Sequence, residues 1–141
     1  MIALDSSSLI AFLEGARGGD ADLVEQALAD RQACLPPVVL TEILSDPKLP
    51  KPVEELLLQL PRLEVLDGYW ERAGSLRATV IRLKRRARLA DALIAQSCID
   101  HDVGLVTRDA DFRHFVRAAG LRLLGSPARS RDHLPRGRGS E

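Results

Sequence analysis

The stretch that decides the fold runs over residues 89–112. It opens Leu89-Ala90-Asp91-Ala92-Leu93-Ile94-Ala95, passes through Gly104-Leu105-Val106-Thr107 and closes on Arg108-Asp109-Ala110-Asp111-Phe112. The spacing predicts a helix over 89–100: Ile94, Ala95, Cys98 and Ile99 fall at the i+3, i+4, i+7 and i+8 offsets from Asp91. A carboxylate therefore stands on the stripe that faces the core. An unpaired charge there is costly, so it needs a cation, hydrogen-bond donors or an open cleft. The apolar run over 104–107 reads as a short strand. Two further acids, Asp109 and Asp111, stand just beyond its C-terminal end.

Outward from this stretch, strands and helices alternate. Ile2-Ala3-Leu4 reads as a buried strand that ends at Asp5, and Ser6-Ser7-Ser8 leads into a helix over 9–13 closed by Gly15. Asp20 is placed to cap a second helix running to Asp30. A strand over 33–35 stops at Pro36 and Pro37, and Pro37 suits the first turn of a helix over 38–44. A helix over 53–60, a strand over 63–66 and a long helix over 69–86 follow. That last helix ends in Lys84-Arg85-Arg86, with Arg88 just past it. Beyond the central stretch come a helix over 110–119 and a last strand over 121–124. This alternation predicts a three-layer α/β/α domain over 1–125 around a mainly parallel sheet of short strands. Residues 126–141, rich in Gly, Ser, Pro and Arg (Arg129, Arg131, Arg136 and Arg138), read as a flexible basic tail.

Composition narrows the function classes. A chain of 141 residues, 45% hydrophobic, is long enough for one domain with a real core. Its formal net charge is zero, so any patch for nucleic acid must be local. Cys34 and Cys98 lack metal-ligand spacing and read as buried thiols, which suits a cytoplasmic protein. No run approaches the roughly 20 apolar residues of a membrane span, and no secretory leader is read at Met1-Ile2-Ala3-Leu4. There is no Gly-rich phosphate loop, no HExxH and no CxxC pair.

In open α/β sheets, ligands bind beyond the carboxyl ends of the strands. Asp5 and Asp109 occupy two such ends, and Glu42 and Asp91 lie on helices that can reach the same edge. Each acid also has an ordinary role open to it. Asp5 and Asp109 can cap helices, Glu42 can be a solvated edge residue, and Asp111 can be a first-turn acid favoured by the helix dipole. The joint pattern is harder to account for that way. Gathered carboxylates repel one another, and some hold a proton unless a cation intervenes. A hard divalent ion, Mg²⁺ or Mn²⁺, suits an all-oxygen donor set and keeps several waters. Metal-bound water without another nucleophile points to phosphodiester hydrolysis. Ser7 and Thr107 can bind the carboxylates or the metal's waters, or simply cap local backbone. Lys84, Arg85, Arg86, Arg88 and, more weakly, Arg108 can draw in a polyanion, or be solvated surface charges. His101, His114 and His133 share no useful spacing.

These residues carry a family resemblance. Leu4-Asp5-Ser6-Ser7, Thr41-Glu42-Ile43, Ala90-Asp91-Ala92-Leu93-Ile94-Ala95 and Val106-Thr107-Arg108-Asp109-Ala110-Asp111-Phe112 follow in the order and at the separations of the PIN-domain nucleases. Within them the chain resembles the VapC toxins of toxin–antitoxin pairs, from Ile2 to about Leu124. The resemblance implies a metal-dependent endoribonuclease with catalytic acids Asp5, Glu42, Asp91 and Asp109. Asp5, Asp91 and Asp109 would hold Mg²⁺, with Mn²⁺ as a substitute; Asp111 matches a further acid of some members. Glu42 would orient or deprotonate the attacking water. It also implies a homodimer and a VapB-like antitoxin over the cleft. Ser7 departs from the pattern, since many members place Asn there. Two other readings stay open at this point: a catalytically silent RNA- or protein-binding module of the same fold, and phosphatase-like chemistry on another doubly wound fold. The second lacks a further Asp two residues after Asp5.

Overall fold

The computed structural model describes residues 1–125. Three short strands, β1 (Ile2–Leu4), β2 (Ala33–Cys34) and β3 (Gly104–Val106), form one parallel sheet in the order β2-β1-β3. Ile2 pairs with Ala33 on one side and Gly104 on the other, and Leu4 pairs with Val106. The central strand is thus the first in sequence. The chain winds away from it in both directions, which makes the C-terminal ends of β1 and β3 the place where a crevice opens. Parallel strands covered on both faces read as unbroken apolar runs, and Ala3, Leu4, Leu105 and Val106 are fully buried.

Seven α-helices surround the sheet: α1 (Ser6–Leu13), α2 (Gly19–Ala29), α3 (Pro37–Leu44), α4 (Lys51–Gln59), α5 (Tyr69–Arg82), α6 (Leu89–His101) and α7 (Arg113–Ala119). A 3₁₀ turn (Ala110–Phe112) precedes α7. α1 packs on α2, which reaches β2 and β3; α5, α6 and α7 form a second group, with α6 against β3. α3 touches both α1 and α6 and so spans the two groups beside the strand ends. The mixed α/β architecture and parallel sheet are those read from the pattern. Phe112, Phe115, Leu4, Leu9, Ile94 and Leu105 are the large side chains at the centre of the core. Each contributes about 1.5–3 kcal/mol by leaving water. No helix among the described residues is long and apolar enough to cross a membrane.

Several boundaries differ from the sequence reading. The strand expected over 63–66 does not form: one bridge joins Leu35 to Arg62, Leu63 is buried, and Val65 and Leu66 are exposed. Pro36 and Pro37 end β2 at once, so no ladder remains for a fourth strand to extend. The strand expected over 121–124 likewise contracts to a single bridge, Leu105 to Leu123, because β3 is only three residues long. Here the chain runs so close that a Cβ on Gly104 would lie 2.7 Å from Leu124 Cγ. The helix expected over 69–86 stops at Arg82, and Lys84 adopts a left-handed φ of 63°. Lys84, Arg85, Arg86 and Arg88 therefore sit on a loop between α5 and α6 rather than on a helix end. The basic tail expected over 126–141 lies outside the described residues.

Candidate active site

The site begins with Asp5, the residue after β1. Its backbone N–H still donates to Val106 O at 2.9 Å, as if the sheet ran one residue further. Its side chain makes no cap bond to α1, which removes the ordinary capping role. Instead the Ser7 and Thr107 hydroxyls both donate to Oδ2, at 2.7 and 2.8 Å. Each hydroxyl also accepts a backbone N–H: Ser7 Oγ from Arg108 at 3.1 Å, and Thr107 Oγ1 from Asp109 at 3.0 Å. Because those amides occupy a hydroxyl lone pair, they turn the hydroxyl protons toward Asp5. Asp5 is only 4% exposed. Burial raises its carboxyl above the usual range, the two hydroxyls oppose this, and Asp109 adds to it.

Asp91 sits in the first turn of α6, 8% exposed, on the stripe with buried Ile94, Ala95 and Cys98. Its carboxyl is pushed up to about 6, by burial first and then by Asp109 and Asp5; Arg88 pulls it down and Glu42 adds to the rise. Glu42, on α3, accepts a hydrogen bond from Ser6 Oγ at 3.2 Å. The residue as a whole is exposed, yet desolvation of its carboxyl raises it, with Ser6 opposing and Asp5 adding. Asp109 caps the 3₁₀ turn, its Oδ1 accepting from Asp111 N at 2.9 Å. Asp111 is half-buried and lies 3.9 Å from Arg86 Nε.

Asp5, Glu42, Asp91 and Asp109 thus come together beyond the strand ends, close enough that Asp5, Glu42 and Asp91 are each raised by a neighbouring acid. The donors are all carboxylate oxygens, which is the chemistry of a hard divalent cation. Among the described residues no group of three or more His, Cys, Asp or Glu side chains is set as it would be around a metal ion. A hard ion that keeps its waters asks for only one or two carboxylates directly.

The basic loop lies beside the acids. Arg77 Nε donates to Ala87 O at 2.8 Å, and the His114 ring bonds Arg86 O at 2.9 Å, so the loop backbone is held at two points. Lys84, Arg85, Arg86 and Arg88 all project into solvent. His114 is thereby a brace, and His101 bonds Glu64 O at 2.8 Å.

Arg108 differs from its reading as a phosphate contact. Its Nε and Nη2 donate to Asp20 Oδ2 and Oδ1 at 2.8 and 2.9 Å. Asp20 in turn is no helix cap: α2 has no side-chain cap bond, and Asp20 is 1% exposed with Ser8 Oγ donating to it at 2.8 Å. The serine triplet explains the division. Successive helical residues turn by about 100°, so Ser6, Ser7 and Ser8 each reach a different carboxylate: Glu42, Asp5 and Asp20. Three hydroxyls in a row at a helix start were the one available sign of this; which acid each would meet was not legible.

Comparison with known proteins agrees with this geometry. No curated protein matches the chain. Among solved structures, a chain of the crystal structure of DNA-bound VapBC from Salmonella typhimurium is similar in fold, with a TM-score of 0.68 at 20% identity. The similarity covers 88% of this chain and 98% of that one. The family model for the PIN domain matches residues 2–118. That span holds the whole sheet, the helices α1 to α6, all but the last residue of α7 and every acid at the strand ends, and the chain belongs to the PIN-domain family.

Proposed function

We propose that the protein is a metal-dependent endoribonuclease, the toxin of a VapBC-type pair. The observation that carries this is the gathering of Asp5, Glu42, Asp91 and Asp109, in which burial first and then the neighbouring acids raise the Asp91 carboxyl to about 6. An enzyme without use for a cation gains nothing from such repulsion. Family membership supports phosphodiester hydrolysis, since PIN domains are generally nucleases. The likeness to a VapBC chain supports a VapB-like antitoxin as partner. A homodimer and a cytoplasmic setting belong to the same reading.

In this mechanism Asp5, Asp91 and Asp109, with Asp111 beside them, would hold Mg²⁺ (or Mn²⁺), and the bound ion would supply Lewis-acid stabilisation of the charge that develops on the phosphate. Ser7 and Thr107 keep Asp5 ionised and oriented. Glu42, more open to solvent and with a raised carboxyl, takes the proton from the attacking water. Water attacks phosphorus, and the phosphorus–oxygen bond to the leaving ribose breaks. Lys84, Arg85, Arg86 and Arg88 bind flanking phosphates, and the tail arginines add nonspecific attraction.

The test is cleavage of a single-stranded RNA by purified protein with and without Mg²⁺. Cutting that stops with EDTA is expected, with a loss of at least a hundredfold in Asp91→Asn. Undiminished cutting by that variant sinks the site. Tight RNA binding with no uptake of Mg²⁺ or Mn²⁺ in calorimetry would favour the silent binding module.

A further inference from the structure

One ion pair with a buried carboxylate lies outside the acidic pocket yet touches its frame. Asp20 is 1% exposed, and Arg108 reaches it from the surface. Two guanidinium nitrogens meet the two carboxylate oxygens, Ser8 Oγ adds a third donor, and Arg108 Nη2 also donates to Arg17 O at 3.0 Å. Two parallel N–H to oxygen bonds fix direction as well as distance. The Asp20 carboxyl is held below its usual range, by the Arg108 hydrogen bonds first. The surroundings are shaped for the pair. Gly18 has a φ of 141°, and a Cβ there would lie 2.9 Å from Asp20 Oδ1 and 3.2 Å from Arg108 Nη2.

Arg108 stands between Thr107 and Asp109, just after β3. The chain bends at Arg108. The Arg108 side chain leaves toward Asp20 on α2, and the residues on either side of it act on the pocket. Thr107 reaches Asp5, and Asp109 raises both Asp5 and Asp91. The backbone amides of Arg108 and Asp109 are the two donors that set the Ser7 and Thr107 hydroxyls. Whatever fixes Arg108 fixes both amides and the start of the Asp109 side chain.

We infer that Asp20 and Arg108 are positioning residues for the acidic pocket: their ion pair ties the segment after β3 to the start of α2 and so sets the hydroxyls on Asp5 and the placing of Asp109. The use of that placing for a metal rests on the proposed function; the clamp itself does not. A Lys at 108 keeps the charge and loses the paired geometry. Asp20→Asn removes the charge at constant size. Gly18→Ala crowds the pair without altering either partner.

The experiment is amide hydrogen exchange by NMR on the full chain and the three variants, followed by calorimetric titration with Mn²⁺. In Arg108→Lys and Gly18→Ala, the amides of residues 108 and 109 should exchange at least tenfold faster, while those of Ala3 and Leu105 in the sheet keep their rates. Mn²⁺ affinity should fall about five- to tenfold in all three variants, most in Asp20→Asn. Unchanged exchange at residues 108 and 109 in all three, with only a lower melting temperature, would make the pair a plain structural brace and overturn the inference. Faster exchange with unaltered Mn²⁺ affinity would overturn its bearing on the pocket. A parent chain that takes up no Mn²⁺ would instead refute the metal reading, and the exchange rates would still decide the clamp.

Discussion

Asp91 shows at the scale of one residue how function is set against stability. Its carboxyl titrates near 6 in the folded chain and near 3.8 when solvated. Asp109, Asp5 and Glu42 raise it, and Arg88 on the same helix end lowers it. A folded-state value above the unfolded one means that the native chain binds the proton more tightly. The associated stability is complete below about 4 and is lost as pH rises through about 6. Metal-free protein should therefore gain about 2 kcal/mol of stability against unfolding from this group as pH falls from 7.5 to 4. Asp5 and Glu42 shift in the same direction. Asp91→Asn should be more stable than the parent at pH 7.5 and should flatten the pH dependence. Urea unfolding at several pH values measures both. A variant less stable at neutral pH would contradict the repulsion assigned to this carboxylate.

At the scale of elements, the α5–α6 loop is where the proposed function has a polyanion approach an acidic pocket on a chain of zero net charge. Its backbone is held by Arg77 and His114, while Lys84, Arg85, Arg86 and Arg88 stay solvent-exposed. A pinned backbone with exposed basic ends would bind phosphate without tightly fixing sequence. Replacing Arg85 and Arg86 together by Ala should raise KM for RNA about tenfold and leave kcat nearly unchanged. It should also lower the slope of log affinity against log salt by roughly 1–2. Loss in kcat alone would instead place these arginines at the reacting phosphate. The same loop records a limit of periodicity. The helical pattern continues past Arg82, yet Lys84 turns left-handed, since the chain must reverse to lay α6 along α5.

For the whole molecule, the sheet is a device for bringing distant residues to one edge. Three strands of two or three residues have little stability of their own. The helices against them supply the rest, with Phe112 and Phe115 buried beneath the strand-end segment. A cation that binds only the folded pocket stabilises the whole chain through linkage. Mn²⁺ at about 100 times its dissociation constant should add about 2.7 kcal/mol. Thermal unfolding should shift upward by several degrees in the parent chain and not in Asp91→Asn. An equal shift in both would show the ion binding elsewhere.

Much of the architecture was legible because it is written at short range. The runs Ile2-Ala3-Leu4 and Gly104-Leu105-Val106 declare buried strands by composition, and the 3.6-residue stripe around Asp91 declares α6. The acids after β1 and β3, Asp5 and Asp109, marked the edge at which the four carboxylates meet. Where local rules misled, a second, distant partner had won. Asp20 has the address of a helix cap and Arg108 that of a surface cation, yet 88 positions apart in sequence they pair, with the carboxylate buried. Residues 63–66 have the composition of a strand but meet an edge that ends at Pro36 after one bridge. Periodicity specifies which face of an element is apolar; only the path of the folded chain specifies which charge meets which. For this protein the sequence determined the elements and the set of acids. Tertiary structure alone decided their meeting point and the hydroxyls and arginine that hold them, because Coulomb and hydrogen-bond partners are chosen by distance in space and not along the chain.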